Sequence, residues 1–490
     1  MQDLASLQLI QNSIVFWTGN CYNIGNNGQV VPSSEAYMNI IIAGGGKVGA
    51  ALVRQLTSEG CDITVIDSNP DVLENLTARY DVIGAEGNCA AMAVLQSAGV
   101  NEADLLIAAT SKDEVNLLCC TTAHALNPRL HTIARIRDPE YTEQIYKMHH
   151  VFGLSLIINP ERQAAEEIAR LIKYPGFLRR DVFAKGRTEI VELRIDEKSK
   201  LKDVTLMEMG SIVRCRVLVC AVLRGGIAQE GIGGQFRLKE GDRIFVTAPR
   251  ENLTILLRNL GIIAKKARNV MLVGGGKVSF YLAQQLAQEG IGAKIIEHDP
   301  ERCRELAEQL PDTDIILGDG TDMDLLEGEG LSGADALVTV TGMDEQNMIV
   351  SLYGTSNGVR QVITKVDHVN SQPIFDSLQL GSVICPKDFC SNTIVRYVRA
   401  MQNQLGAAIS VHAIADGQVE ALEFNVDERT PNCGIPLKQL KLKSNVLVAT
   451  VTHGSKTAIA NGESSFQKGD TVVVVTSGRG LIRQIGDIFA

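Results

Sequence analysis

The sequence predicts an α/β protein with two Rossmann-like doubly wound parallel-sheet domains, each followed by a small, β-rich α+β lobe. A strand–glycine–helix stretch occurs twice, as IIIAGGGKVGAALVRQL at Ile40–Leu56 and VMLVGGGKVSFYLAQQL at Val270–Leu286, 230 residues apart. Further segments recur at nearly the same spacing along both halves, the signature of a long-period duplication. Downstream of each repeat lie stretches of alternating apolar and polar residues with glycine-rich turns, the pattern of short antiparallel strands.

Taken in order, the elements support this reading. Val48, Leu52 and Leu56 recur as Val278, Leu282 and Leu286, which marks one buried helix face in each copy. ITVIDSNP (Ile63–Pro70) matches AKIIEHDP (Ala293–Pro300); Asn69 and Asp299 are expected N-caps, with Pro70 and Pro300 opening the helices. AATSKDEVN (Ala108–Asn116) matches TVTGMDEQN (Thr339–Asn347). Its pairs Asp113-Glu114 and Asp344-Glu345 are expected to start a helix after a strand, where acids serve the helix N-terminus. ARIRD (Ala134–Asp138) answers TKVDH (Thr364–His368), and INPE (Ile158–Glu161) answers ICPK (Ile384–Lys387). The small lobes repeat as well: VELRIDEKSKL (Val191–Leu201) answers LEFNVDERTPN (Leu422–Asn432), and LKEGDRIFVTA (Leu238–Ala248) answers FQKGDTVVVVT (Phe466–Thr476).

These matches divide the chain into residues 38–165 and 268–395 as Rossmann-like domains and 180–263 and 408–490 as small lobes. AKKAR (Ala264–Arg268) is the expected linker between the halves, and residues 1–37 are expected to be poorly ordered, with Met38 a candidate initiator.

Composition narrows the function. A formal net charge of −10 over 490 residues argues against a nucleic-acid binder. VLVCAVL (Val217–Leu223) is too short to span a bilayer and reads as a buried strand. The eleven cysteines form no CxxC, and Cys119-Cys120 is their only close pair. That pattern reads as reduced thiols in a cytosol, small core residues for the most part, with redox sensing as the alternative. The eight histidines form no HExxH, and no metal site is expected.

The glycine motif carries the chemistry. Gly44-x-Gly46-x-x-Gly49 follows a strand and opens a helix, the context a dinucleotide fingerprint requires. Gly44 permits the tight turn, Gly46 lets a pyrophosphate approach the backbone, and Gly49 lets helix pack on strand. The helix N-terminus offers N–H groups and a positive dipole end to phosphate. Asp67 lies 23 residues after Gly44, and Glu297 lies 23 after Gly274. A carboxylate there accepts from both ribose hydroxyls and repels a 2′-phosphate, which favours NAD(H), ATP or ADP over NADP. Lys47 and Lys277 share one slot in the loop, either meeting phosphate, reaching a ligand held by a neighbouring subunit, or lying solvated. Arg135 and Arg137 end a later strand, where doubly wound sheets bind ligands; Lys365 stands in for Arg135 in the second copy. Ser279 replaces the third glycine there, adding a Cβ at a crowded helix–strand contact.

GGGKVG, TVID, TSKDEVN, ARIRDPEY and the EGDRIFV-like ends of both lobes, in this order, resemble the TrkA family of regulatory subunits of bacterial Trk potassium uptake, built of duplicated RCK (KTN) domains. The resemblance spans about Met38 to Ala490. It implies nucleotide contacts at Gly44, Gly45, Gly46, Lys47, Val48, Gly49, Asp67, Glu86, Thr110 and Arg135. In the second copy they fall at Gly274, Gly275, Gly276, Lys277, Val278, Glu297, Asp319, Thr341 and Lys365. It further implies NAD(H) and ATP/ADP as ligands, a homotetrameric ring, and a cytoplasmic location at the membrane face. The implied partner is a membrane-embedded, potassium-translocating subunit of the Trk type. One departure is the Gly-Asp-x-Thr turn after the third strand, kept as GDGT (Gly318–Thr321) in the second copy and aligned with AEGN (Ala85–Asn88) in the first. Ser279 is the other.

An NAD-dependent dehydrogenase is the competing expectation, and a nucleotide-sensing module of another transporter is a third. A dehydrogenase needs a domain that sets an acid or base over the nicotinamide. The small duplicated lobes carry no convincing His–Asp or Lys–Asp constellation, so the sequence points to a non-enzymatic sensor.

Overall fold

The computed structural model describes residues 22–24, 30–32, 38–173, 176–261, 267–367, 378, 380–401, 408–477, 482 and 484–490. Apart from a short hairpin pairing Tyr22–Ile24 with Val30–Pro32, the extension 1–37 lies outside the described residues, as does most of the AKKAR linker.

The first parallel sheet contains β1 (Asn39–Ala43), β2 (Asp62–Asp67), β3 (Ile83–Glu86), β4 (Leu105–Ala108), β5 (His131–Arg135) and β6 (Leu156–Ile158), in spatial order 3-2-1-4-5-6. The strand order reverses between β1 and β4, so the crevice for a ligand opens at their carboxyl ends. Connecting helices are α1 (Lys47–Ser58), α2 (Pro70–Thr77), α3 (Met92–Ser97), α4 (Asp113–Leu126), α5 (Pro139–Met148) and α6 (Pro160–Lys173). The Asn69 side chain accepts from the Asp71 N–H with Pro70 at the first turn of α2, as the sequence predicts.

The first lobe holds β7 (Arg179–Phe183), β8 (Thr188–Arg194), α7 (Leu206–Val213), β9 (Leu218–Arg224), β10 (Ile227–Ala228), β11 (Arg243–Pro249) and α8 (Arg250–Leu260). Its antiparallel sheet runs 10-9-11-8-7. A capping box between Thr205 and Glu208 starts α7.

The second half repeats the plan. A parallel sheet comprises β12 (Asn269–Val273), β13 (Gly292–Glu297), β14 (Thr313–Leu317), β15 (Ala336–Thr339), β16 (Gln361–Lys365) and β17 (Ser382–Ile384), ordered 14-13-12-15-16-17. Its helices are α9 (Lys277–Gln288), α10 (Pro300–Gln309), α11 (Met323–Gly328), α12 (Asp344–Ser356) and α13 (Pro386–Met401). The last lobe contains β18 (Ala408–Ile414), β19 (Val419–Asn425), β20 (Val446–His453), β21 (Lys456–Ile459) and β22 (Thr471–Thr476), ordered 18-19-22-20-21.

The last helix of each parallel-sheet unit packs on the other unit. Ile168, Leu171 and Ile172 of α6 share one buried cluster with Leu282 and Leu286 of α9. Reciprocally, Cys390, Ile394 and Val398 of α13 join Leu52 and Leu56 of α1. Polar contacts fix the exchange: Arg399 pairs with Glu59 at 2.6 Å, and Gln361 Nε2 donates to the Leu171 carbonyl at 2.8 Å. The helix faces read from periodicity are thus buried, but α1 and α9 bury them against partly foreign helices. The two lobes join through Phe183, Ile190 and Phe245 against Ile414, Val419 and Val473.

Where α6 meets the lobes, ionisable groups are buried. Burial raises Asp181, yet Arg179 and a hydrogen bond from His412 outweigh it and hold the carboxyl at about 2. Glu167 goes the other way. Burial pushes its carboxyl to about 7, Arg170 at 3.1 Å notwithstanding, and its Oε1 has no hydrogen-bond partner. An unfolded glutamate titrates near about 4.3, so folding takes up a proton between roughly pH 4.5 and 7. The resulting stability is present at the acid end of that window and is lost as pH rises through it. Glu167→Gln is therefore expected to flatten the decline between pH 5 and 7 by on the order of 2 kcal/mol in denaturant titrations.

Candidate functional site

The two glycine turns face one shared cleft. Gly44 and Gly274 adopt φ +101° and +104°. A Cβ on Gly44 would stand 3.0 Å from the Thr110 backbone, and one on Gly274 would stand 3.0 Å from the Thr341 amide. Only glycine fits at either position. At Gly49 a Cβ would fall 1.9 Å from the Gly44 carbonyl oxygen. Ser279 holds the equivalent place and hydrogen-bonds the Gly274 carbonyl oxygen, which converts the predicted crowding into a polar contact. A Cβ on Gly46 or Gly276 meets nothing within 4 Å, so both glycines border open space.

The turns are held from below by a carboxylate. Asp67 accepts from the Gly45 N–H at 2.7 Å and the Asn69 N–H at 2.9 Å. Glu297 accepts from Gly275 at 2.6 Å, His298 at 2.8 Å and Asp299 at 2.9 Å. In the second copy the Arg302 guanidinium also binds the Gly275 carbonyl at 2.9 Å. Above the turns, α1 and α9 begin at Gly46 and Gly276 with no side-chain cap and no acid in the first turn. Their leading N–H groups have no partner within the helix.

Between the units lies a cleft of about 820 Å³. Lys47, Lys112, Arg135, Arg137, Lys277, Lys365 and Lys387 line it, against the carboxylates Asp67, Glu161 and Asp367. Seven cations face three anions there, a local excess of positive charge in a chain of net charge −10. Each loop lysine crosses to the other unit. Lys47 Nζ lies 2.9 Å from Asp367, and Lys277 Nζ lies 2.7 Å from Asp138. The hydrogen bond to Asp367 raises Lys47 above the usual lysine range, and Lys277 outweighs burial to hold Asp138 below the usual carboxylate range. Pairs this exposed contribute about 0–1 kcal/mol each, so an entering anion can displace them.

Gly44, Gly46, Lys47, Val48, Asp67, Thr110 and Arg135 line the cleft, as do Gly276, Lys277, Val278, Thr341 and Lys365. Gly45, Gly49, Gly274, Gly275 and Glu297 lie behind that wall as supports. Glu86 and Asp319 are exposed outside it. Glu86 also corrects the alignment of the two turns. It is the last β3 residue, opposite Asp67, just as Leu317 stands opposite Glu297. Gly87 donates to the Asp67 carbonyl as Gly318 does to that of Glu297, both at 2.9 Å. Asn88 then accepts from Ala90 at 3.0 Å, and Asp319 accepts from Thr321 at 2.8 Å. Asn88, which lines the cleft, is therefore the counterpart of Asp319. The offset of 231 that relates Asp113 to Asp344 in the sequence already carried this register.

The TSKDEVN motif proves to be a clamp. Asn116 Oδ1 accepts from the Thr110 N–H at 2.8 Å, while its amide donates to the Arg135 carbonyl at 2.9 Å. Asn347 binds Thr341 and the Lys365 carbonyl in the same way, at 2.9 and 3.0 Å. Asp113 does not cap its own helix; it accepts from the Arg137 and Asp138 N–H groups at 2.7 and 2.8 Å. The motif thus sets the height of Thr110 and Arg135 against the cleft. Arg135 itself pairs with Glu161 at 3.0 Å.

These features define a duplicated Rossmann-type protein whose two glycine turns share one basic cleft, with a β-rich lobe after each unit. The TrkA-N domain family model matches residues 40–160 and 270–386. A Trk system potassium uptake protein TrkA homolog of Archaeoglobus fulgidus is 30% identical over 437 residues, covering 89% of this chain and 97% of the relative. Trk system potassium uptake protein TrkA of Halomonas elongata is 29% identical over 460 residues, covering 92% and 98%. The chain belongs to the TrkA family. Among solved structures, the GsuK RCK domain superposes with a TM-score of 0.58 at 15% identity, covering 91% of this chain and 94% of that one. The GsuK channel bound to NAD gives 0.57 at 16% identity, covering 91% and 78%. Those two likenesses concern the fold.

Asn116→Ala leaves the Thr110 amide and the Arg135 carbonyl without their buried partner. It is expected to cost about 1–3 kcal/mol, read as a lower thermal midpoint. An unchanged midpoint would contradict the clamp.

Proposed function

We propose that the chain is the regulatory, gating subunit of a bacterial potassium uptake system, a sensor that binds NAD(H) and ADP or ATP and performs no chemistry on them. Family membership supports the transport role, and the cleft supports the ligand class. The observation that carries the reading is the shared basic cleft itself. An anion seated on one glycine turn competes with the ion pairs that join the two units, so occupancy is coupled to their relative arrangement. A ligand shifts such an equilibrium only by its difference in affinity between the two arrangements.

In this reading the diphosphate lies on the amides opening α1, and the ribose hydroxyls meet Asp67, a residue that lines the cleft. Asp67 also keeps the glycine turn in place, so it serves turn and ligand together. The second copy offers its turn, Lys277 and Lys365 to the same space, while Glu297 is buried beneath Gly275. We therefore assign the first copy as the principal adenylate site. The sensor would act as a homotetrameric ring on the cytoplasmic face of a membrane-embedded potassium-translocating partner.

Calorimetry of the full chain with NADH, NAD, ATP, ADP and NADPH tests the assignment, NADPH being expected to bind more weakly. Gly46→Val gives the sharpest contrast. Its side chain enters open cleft from an extended backbone, φ −65° and ψ −165°, so the fold is expected to persist while ADP affinity falls at least tenfold, about 1.4 kcal/mol. Unchanged affinity would remove the site. Hydride exchange between NADH and a small substrate would instead favour the dehydrogenase reading.

A further inference from the structure

Cys89 sits in the turn that follows β3, 5% exposed, and its residue lines the cleft beside Asn88. On its inner side it meets α4. Cys119, fully buried there, belongs to the same apolar cluster, and each thiol lies near enough to shift the titration of the other. Cys120, the neighbour in sequence, is turned about 100° around the helix, and its thiol donates to the Ile133 carbonyl at 3.6 Å.

The duplication supplies an internal comparison. At the offset of 231, Cys89 and Cys119 become Gly320 and Val350 in the second unit. A Cβ at Gly320 would come 2.3 Å from Val273 Cγ1, so that unit has no room for a thiol. The first unit has Ala43 in place of Val273, and Ala43 and Cys89 belong to one buried cluster. The small residue below and the thiol pair above occur together, in one unit only.

We propose that Cys89 and Cys119 form a peroxide-oxidisable dithiol, whose disulfide fastens the turn bordering the ribose end of the cleft to α4. The Cys89 thiolate attacks the O–O bond of hydrogen peroxide; an S–O bond forms, and the departing hydroxide takes a proton and leaves as water. The Cys119 sulfur then attacks the sulfenic sulfur of Cys89. The S–S bond forms, the S–O bond breaks, and the leaving hydroxide takes the Cys119 proton. Two thiols lose two electrons in all, and one peroxide is reduced to two waters. The roles follow from the surroundings: the neighbouring Cys119 thiol holds Cys89 below the ordinary thiol range, whereas Cys89 together with burial pushes Cys119 well above it.

The disulfide stands apart from the adenylate reading; only its effect on ligand affinity rests on that reading. The reduced full-length chain is treated with hydrogen peroxide, its remaining thiols are blocked with iodoacetamide, and it is digested without reductant for mass spectrometry. The expected result is a peptide pair joined through Cys89 and Cys119. Cys119→Val, which installs the residue of the second unit, should abolish the pair and leave a Cys89 sulfenic acid that dimedone traps. Both cysteines remaining alkylatable after exposed Cys433 is oxidised would overturn the proposal, as would a bond mapped between Cys119 and Cys120. Saturating ADP should slow the cross-link several-fold. An undiminished rate with the peptide pair still formed would count against the adenylate placement and leave the dithiol standing.

Discussion

The hydrogen bond from a glycine-turn amide to the carboxylate ending the second strand sets the geometry on which the site depends. Asp67 holds Gly45 and Glu297 holds Gly275, at 2.7 and 2.6 Å. With the turn fixed this way, each strand runs through the glycines directly into a helix that starts at Lys47 or Lys277. The leading amides have no side-chain cap and no acid within the first turn, so they keep the donor capacity and positive dipole end of a helix N-terminus. The buried amides of Asn116 and Asn347 then fix the opposite wall, at Thr110 and Arg135 and at Thr341 and Lys365.

Exchange of α6 and α13 brings two such turns face to face. Apolar packing of the swapped helices joins the units firmly, whereas the loop lysines meet Asp367 and Asp138 in partly exposed pairs that contribute little to stability. Firm packing behind and weak ion pairs in front leave the cleft rim as the part a ligand can rearrange. The two copies are not equivalent at that rim. Both carboxylates hold backbone N–H groups with both oxygens, but Asp67 is half-buried and lines the cleft, while Glu297 is buried and its turn carries Arg302 as well.

Much of this was legible in the sequence. The glycines, the capping Asn69 and Asp299, and the strand-ending acids are local signals, fixed by backbone geometry within a few residues. The missing third glycine makes Ser279 legible as a crowded position, although its hydrogen bond to Gly274 depends on atoms the sequence does not order. What stayed hidden was nonlocal. Asp113 looked like a helix acid but binds amides across the sheet, and Lys47 finds Asp367 in the other unit. Asn88 is not legible by local matching, because AEGN and GDGT align two residues out of step and only the strand pairing of Glu86 opposite Asp67 decides the register.

Amide hydrogen exchange of residues 44–49, 67–69, 87–90 and 274–279, with and without saturating ADP, reads those backbone donors one by one. Slowed exchange is expected at Gly46, Lys47 and Val48, with accompanying protection at 67–69 and 87–90. Saturable ADP binding that leaves the amides opening α1 unprotected would contradict the placement of the diphosphate on them.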